Sequence, residues 1–409
     1  MIRTLIFLLC LYGPVCQGQI LGFVLPEGEK KVQFPIEVHN NLVVLPVILN
    51  GQLPLKFILD TGVRTAILTE KAYSDILNLP YTRKYTLAGP GGVKLVDAYV
   101  TTNVSLDMPG VRGQGHAMLV LEQDYLELRN SLGTDVHGIL GYELFSRFIV
   151  QIDYERKMLT LTVPEKFRRK RKFQELPITI EDTKPYIEVE VHLNDSSHLP
   201  VKLLVDSGAS HGLILEPESD ERLVLPKEVI SSVIGRGLGG VITGKIGRLK
   251  SLTIGEYNIP DVIVNFPDPN SYIDTLKTTR TTFRHGALGG EVLSRFNVIF
   301  DFPEGKMFLK KNASFGKKAY YNLSGLTIRA KGARLRTFEI SDVRANSSAE
   351  KADLKVGDNI LFVNGYSVQD LQLNNVNNLF NSKPGKKIVV EIDRKGTRMK
   401  KEFRLESQI

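Results

Sequence analysis

The chain has 409 residues, a formal net charge of +8 and 42% hydrophobic residues, with two Cys and no Trp. That is length enough for more than one buried core, and too balanced a composition for a disordered or collagen-like chain. Basic residues are not interleaved with aromatics outside one short run, and no Gly-Lys-Ser/Thr phosphate loop or metal-ligand spacing occurs, so nucleic acid, nucleotide, metal and cofactor binding are not expected.

In chain order, Arg3 is followed by the apolar run Leu5–Leu11 and then by Gly13-Pro14. This pattern predicts a secretory leader over residues 1–18, too short to span a bilayer, with export to a periplasmic or extracellular space. Gly13-Pro14-Val15-Cys16 only faintly matches a lipid-attachment box, because Val15 is a poor residue before the Cys. Both cysteines, Cys10 and Cys16, fall in the leader, so the mature chain is expected to be free of disulfides. An exported chain without them fits a bacterial envelope. The first strand signal comes near Val32, leaving no room for a long prosegment.

Strand signals then dominate, as in Leu42–Leu49, Tyr186–Val191 and Asp261–Val264. Helical pattern is scarce, confined to short pieces after Gly141 and Gly289. The apolar run Leu55–Leu59 ends on Asp60-Thr61-Gly62, and Val201–Val205 ends on Asp206-Ser207-Gly208, 146 residues later. Apolar residues follow both, Ala66–Leu68 and Gly212–Leu215. About 80 residues on, a second block repeats: His137-Gly138-Ile139-Leu140-Gly141 through Phe148, and His285-Gly286-Ala287-Leu288-Gly289 through Phe296. Each block runs into an apolar-acidic strand ending, Ile152-Asp153-Tyr154 and Phe300-Asp301-Phe302, then a Lys-Met pair. A repeat of this length marks a duplicated domain. One Asp-Thr/Ser-Gly alone is usually only a turn. Two of them, inside matching repeats, point to a pair of carboxylates sharing one water.

These motifs resemble those of aspartic peptidases of the pepsin and retropepsin type, over residues about 32 to 311. The resemblance implies an all-β-dominated fold of two homologous lobes, peptide-bond hydrolysis, Asp60 and Asp206 as the catalytic pair, and Thr61, Gly62, Ser207 and Gly208 as the loops supporting them. Thr61 and Ser207 would cross-link the loops through their hydroxyls. Val63 and Ala209, apolar after each glycine, match the retropepsin side of the family. Flap candidates are Gly89, Pro90, Gly91 and Gly92 within Leu87–Val93, whose tip has no Tyr, and Gly237, Leu238, Gly239 and Gly240 in the second half. His137 and His285 are expected to make local hydrogen bonds rather than to catalyse.

The basic run Lys166–Lys172 reads as a solvated connection, giving lobes at 19–165 and 176–311 with a linker at 166–175. From Ser324 the composition shifts, and Ser347–Gly365 with Lys383–Ile392 resembles the PDZ domains of bacterial envelope proteases, over 324–409. A PDZ domain implies capture of an extended peptide at a sheet edge. The carboxylate loop is expected near Gly332–Thr337, with Leu335, Arg336, Thr337 and Phe338 at the groove. The combined expectation is an exported, monomeric aspartic endopeptidase acting on peptide or protein substrates. The competing expectation is a peptide-binding envelope protein that no longer cleaves.

Overall fold

The computed structural model describes residues 21–92, 95–194, 197–269 and 282–409. The predicted leader, both cysteines and Val93 lie outside them.

Each half builds one sheet around its Asp turn. In the first half the order is Glu37–His39, Leu42–Leu49, Leu53–Leu59, Gly138–Leu140, Ala66–Leu68, His116–Leu121, Val96–Val104, Tyr81–Leu87. In the second it is Thr179–Glu181, Lys184–His192, His198–Val205, Gly286–Leu288, Leu213–Leu215, Tyr257–Pro267, Gly240–Ile254, Val229–Gly237. The hairpin leading to Asp60 turns at Asn50 and Gly51, both at positive φ, the backbone that such a turn demands.

The repeated His-Gly-apolar-apolar block is the structural key. Gly138–Leu140 runs parallel to Leu53–Leu59 and antiparallel to Ala66–Leu68. Gly286–Leu288 does the same between His198–Val205 and Leu213–Leu215. The block is thus wedged between the strand entering the Asp turn and the strand leaving it, and it fixes the turn from both sides. The wedge is tight: a Cβ on Gly138 would lie 2.5 Å from the Ile67 carbonyl oxygen, and one on Gly286 1.9 Å from that of Ile214. That is why glycine follows the histidine in both copies.

A third sheet joins the halves in the order Gln174–Pro177, Lys306–Lys311, Phe296–Asp301, Ile149–Asp153, Met158–Thr162, Lys31–Pro35. Its centre pairs the two repeated strand endings, Ile152 with Val298 and Val150 with Phe300. One apolar core runs through both halves, including Phe57, Leu203 and Phe300. Phe145, on the short helix Tyr142–Phe145 of the first half, stacks on Phe302 of the second at 5.0 Å and meets Phe300 edge-on at 5.4 Å. The halves are therefore welded by apolar burial rather than hinged. Between them, Phe167 and Phe173 anchor on Phe308, Ile299 and Ile149, while residues 168–172 stay exposed.

The C-terminal sheet has its own core. Its order is Leu326–Lys331, Thr337–Val343, Asn359–Val363, Lys387–Arg394, Thr397–Arg404, with the helix Leu373–Phe380 packed on the first strand. Among the described residues no helix is long and apolar enough to cross a membrane.

Candidate active site

Asp60 and Asp206 stand at the C-terminal ends of equivalent strands, Leu53–Leu59 and His198–Val205. The Asp60 N–H donates to Leu140 O and the Asp206 N–H to Leu288 O, both at 2.8 Å, so each wedge block holds its aspartate directly. Within each turn the glycine N–H donates to the carboxylate two residues before it: Gly62 to Asp60 Oδ1 at 2.6 Å and Gly208 to Asp206 Oδ1 at 3.0 Å.

The residue between aspartate and glycine ties the turns together. Thr61 and Ser207 are fully buried. The Thr61 hydroxyl donates to Val205 O at 2.6 Å and accepts from the Ser207 N–H at 3.0 Å. The Ser207 hydroxyl donates to Leu59 O at 2.9 Å and accepts from the Thr61 N–H at 3.1 Å. Four buried hydrogen bonds, two from each side of a pseudo-twofold axis, fix the distance between the turns. The expected hydroxyl cross-link is what the geometry contains.

This brings the carboxyls against each other. A Cβ on Gly208 would sit 2.2 Å from Asp60 Cγ, and one on Gly62 would lie 3.1 Å from Asp60 Oδ1 and 3.7 Å from Asp206 Oδ1. Only glycine lets each turn come so close to the carboxyl groups. Burial raises the pKa of both acids above the ordinary carboxylate range, and the neighbouring Asp206 charge raises Asp60 further. The carboxyl-to-carboxyl hydrogen bond acts oppositely on the two, raising Asp60 and lowering Asp206. Lys184 draws both down, and Arg284 draws down Asp206. Sequence reasoning missed both cations, since neither belongs to a repeated motif.

His137 and His285 do not meet the carboxylates through any hydrogen bond. Each Nδ1 accepts the backbone N–H of a lysine in the strand leading to the aspartate, Lys56 at 3.0 Å and Lys202 at 2.9 Å. The partners lie across the sheet, not locally in the chain. Burial lowers both histidines' pKa, in keeping with rings that accept at Nδ1.

The two flap candidates meet tip to tip. Gly89–Gly92 lie in the connection between Tyr81–Leu87 and Val96–Val104, and Leu238-Gly239 join Val229–Gly237 to Gly240–Ile254. The Gly239 N–H donates to Pro90 O at 2.9 Å. A Cβ on Gly89 would lie 2.9 Å from Leu238 Cβ, one on Gly237 2.1 Å from Pro90 O, and one on Gly91 2.1 Å from Gly240 O. Glycine-rich tips are what allow backbone to close on backbone here.

The groove expected at Leu335–Phe338 is not where the structure places an open edge. Leu335 and Arg336 occupy the turn between Leu326–Lys331 and Thr337–Val343, and the side chains of Leu335 and Phe338 are buried in the C-terminal core. The strand carrying Thr337 and Phe338 is paired on both sides, with Leu326–Lys331 and with Asn359–Val363. An added strand needs unpaired backbone. The edge beside the helix Leu373–Phe380 is Leu326–Lys331. Its buried Leu326, Ile328 and Ala330 alternate after Gly325, a signal present in the sequence.

Comparison with protein families matches these units. The aspartyl protease family model matches residues 45–144 and again 189–292, so each half is one repeat with its own aspartate. The PDZ domain model matches residues 325–405. No curated protein matches the chain.

Proposed function

From a chain with two retropepsin-like aspartyl protease repeats and a C-terminal PDZ domain, we propose an aspartic endopeptidase in which Asp60 and Asp206 activate one water between them. The observation that carries this reading is the four-bond lattice of Thr61 and Ser207, which holds two buried carboxyls in contact. Two acids so placed cannot both ionise easily, so the pair retains one proton. The proton belongs to the pair: burial raises both acids, Lys184 lowers both, and Arg284 lowers Asp206.

The ionised carboxylate removes a proton from the water as its oxygen attacks the scissile carbonyl carbon. The protonated carboxyl gives its proton to the carbonyl oxygen, forming a neutral gem-diol. Collapse of that diol breaks the C–N bond. The nitrogen leaves as an amine after accepting a proton from the carboxyl that took one from water, while one hydroxyl of the collapsing diol returns its proton to the other carboxylate. The dyad then again holds one proton. The paired flap tips would close over an extended substrate and exclude bulk water. The PDZ domain supplies a peptide-binding edge beside the protease. The leader predicted at residues 1–18 supports action outside the cytoplasm.

The test is cleavage of a peptide library by the wild type, Asp60→Asn and Asp206→Asn. Each substitution should reduce turnover by at least about a thousandfold while the fold persists, because either removes the shared-proton pair. Wild-type cleavage by Asp60→Asn would overturn the dyad. A folded wild type that binds but never cuts peptides would favour the binding-protein alternative.

A further inference from the structure

The open edge of the PDZ sheet is covered in this structure by the protein's own first lobe. The short helix Leu128–Leu132 packs against Leu326–Lys331. Asn130 Nδ2 donates to Ala330 O at 2.7 Å, on the edge strand itself, and Arg129 Nη2 donates to Ala333 O at 2.8 Å in the turn that follows. At the end of this helix, Gly133 abuts the first residue of the PDZ helix, where a Cβ would lie 2.4 Å from Leu373 Cβ. The segment 127–133 thus fills the corner between edge strand and helix, the place an added peptide strand would take.

The covering segment also reaches the second flap. Glu127, which opens the helix, points one carboxylate oxygen at Arg329 of the PDZ edge at 3.7 Å and the other at Arg236 at 3.4 Å. Arg236 lies in the flap strand Val229–Gly237, next to the tip. Glu127 holds the left-handed backbone, φ 51°, an uncommon conformation for a residue with a side chain. A second tie joins the same flap to the PDZ side: the Tyr321 hydroxyl lies 3.2 Å from Ser232 Oγ and donates to Val233 O at 3.3 Å.

We propose that residues 127–133 act as a cis-acting cap on the PDZ edge, that an extended peptide carrying an acidic side chain for Arg329 displaces this cap, and that displacement frees the second flap through Glu127. The peptide must supply the backbone pairing that Asn130 only partly replaces, and an acid where Glu127 stands. The functional consequence rests on the protease reading above: ligand capture at the PDZ edge loosens the cover of the dyad. The cap itself does not rest on it.

The experiment uses full-length protein carrying Asp60→Asn, so that cleavage plays no part in the readout. Hydrogen exchange is followed with and without the added pair Arg129→Ala and Asn130→Ala. With the pair present, amides at 326–331 and at 236–240 should exchange about tenfold faster, while those of Ile149–Asp153 and Phe296–Asp301 stay protected. Unchanged protection at 326–331 overturns the cap, and unchanged protection at 236–240 overturns the link to the flap. A phage-displayed library of ten-residue peptides is then selected on the capless variant. Peptides enriched in an acidic residue should emerge and bind the capped protein at least about tenfold more weakly. Equal affinity for both forms, or no binders to the capless form, overturns the proposal. A folded wild type that cleaves no peptide while these exchange and binding results hold would count against the protease reading alone.

Discussion

The substitution Thr61→Val isolates the lattice under the dyad. Valine keeps the β-branched shape and removes the hydroxyl, so packing is nearly conserved. Two bonds vanish, the 2.6 Å donation to Val205 O and the 3.0 Å acceptance from the Ser207 N–H, at a site with no solvent exposure to compensate. A buried polar group left unpaired costs about 1–3 kcal/mol, so the pair should cost about 2–6 kcal/mol. For a unit of this size each kcal/mol moves the melting temperature by about 2–4 °C, which places the expected drop at roughly 4–24 °C. Ser207→Ala removes the mirror-image pair, to Leu59 O and from the Thr61 N–H, and should cost about the same. Thr61→Ser keeps the hydroxyl and should lie within about 1 kcal/mol of wild type. The assay is calorimetric melting beside peptide-cleavage kinetics, in which Thr61→Val should lower kcat more than it changes KM, because it shifts the carboxyls rather than the binding cleft. A Thr61→Val protein that melts within 1 °C of wild type and cleaves normally would refute the claim that these four bonds set the dyad.

Burial holds both aspartates protonated to higher pH than usual, so the single-proton state, and cleavage with it, should persist into mildly acidic to neutral pH; a rate profile peaking near pH 2 would contradict this. The same shift has a stability sign. A carboxyl raised in the folded state costs nothing below its unfolded value near 3.8 and an increasing penalty as pH rises through the folded value, about 1.4 kcal/mol per pH unit of displacement. Asp60→Asn should therefore raise the melting temperature at pH 8 and leave it nearly unchanged at pH 3. Phe145→Ala empties the contact with Phe300 and Phe302 and should destabilise by about 3–5 kcal/mol, measured by urea unfolding. Gly91→Ala forces a Cβ to within 2.1 Å of Gly240 O at a φ of 109°, so kcat/KM should fall while the melting temperature of the core changes little. Limited trypsin digestion should cut first within 168–172, exposed between the Phe167 and Phe173 anchors, and leave the lobes associated through the shared core.

The legible parts of this chain were those that repeat. Asp60 and Asp206, the wedge blocks at 138–140 and 286–288, and the strand endings at 152 and 300 recur because the pseudo-twofold places them under one constraint, and duplicated constraint leaves duplicated sequence. The short helices after Gly141 and Gly289 were legible for the same reason. The PDZ domain is recognisable from its helix and Gly-Asp turn, yet the sequence pattern points to a groove one strand after the edge strand Leu326–Lys331. Periodicity marks Leu326–Lys331 and Thr337–Val343 alike as strands, and which of them is the edge depends on pairing with Asn359–Val363, a tertiary fact. Lys184 and Arg284 were invisible because a charge acts on a carboxyl through distance in the fold, and neither stands at a fixed offset from an Asp turn.

Where the halves agree and where they differ follows a division of labour. The hydroxyl lattice must be symmetric, since it equates two turns, and it is: each hydroxyl gives one bond and takes one. A strictly symmetric environment, however, would leave the shared proton equally divided, with no preferred acid or base in the free protein. The symmetry is broken from the second half, where Arg284 lies on the Asp206 side. The glycine-rich hairpin tips break it too. Both tips are glycine-rich and meet through Gly239 and Pro90, yet Arg236 and the Ser232-Val233 backbone tie the second one to Glu127 and Tyr321. The symmetric elements thus fix the two aspartate turns, and the asymmetric ones set unlike charges around them and tie the second glycine-rich hairpin to Glu127 and Tyr321.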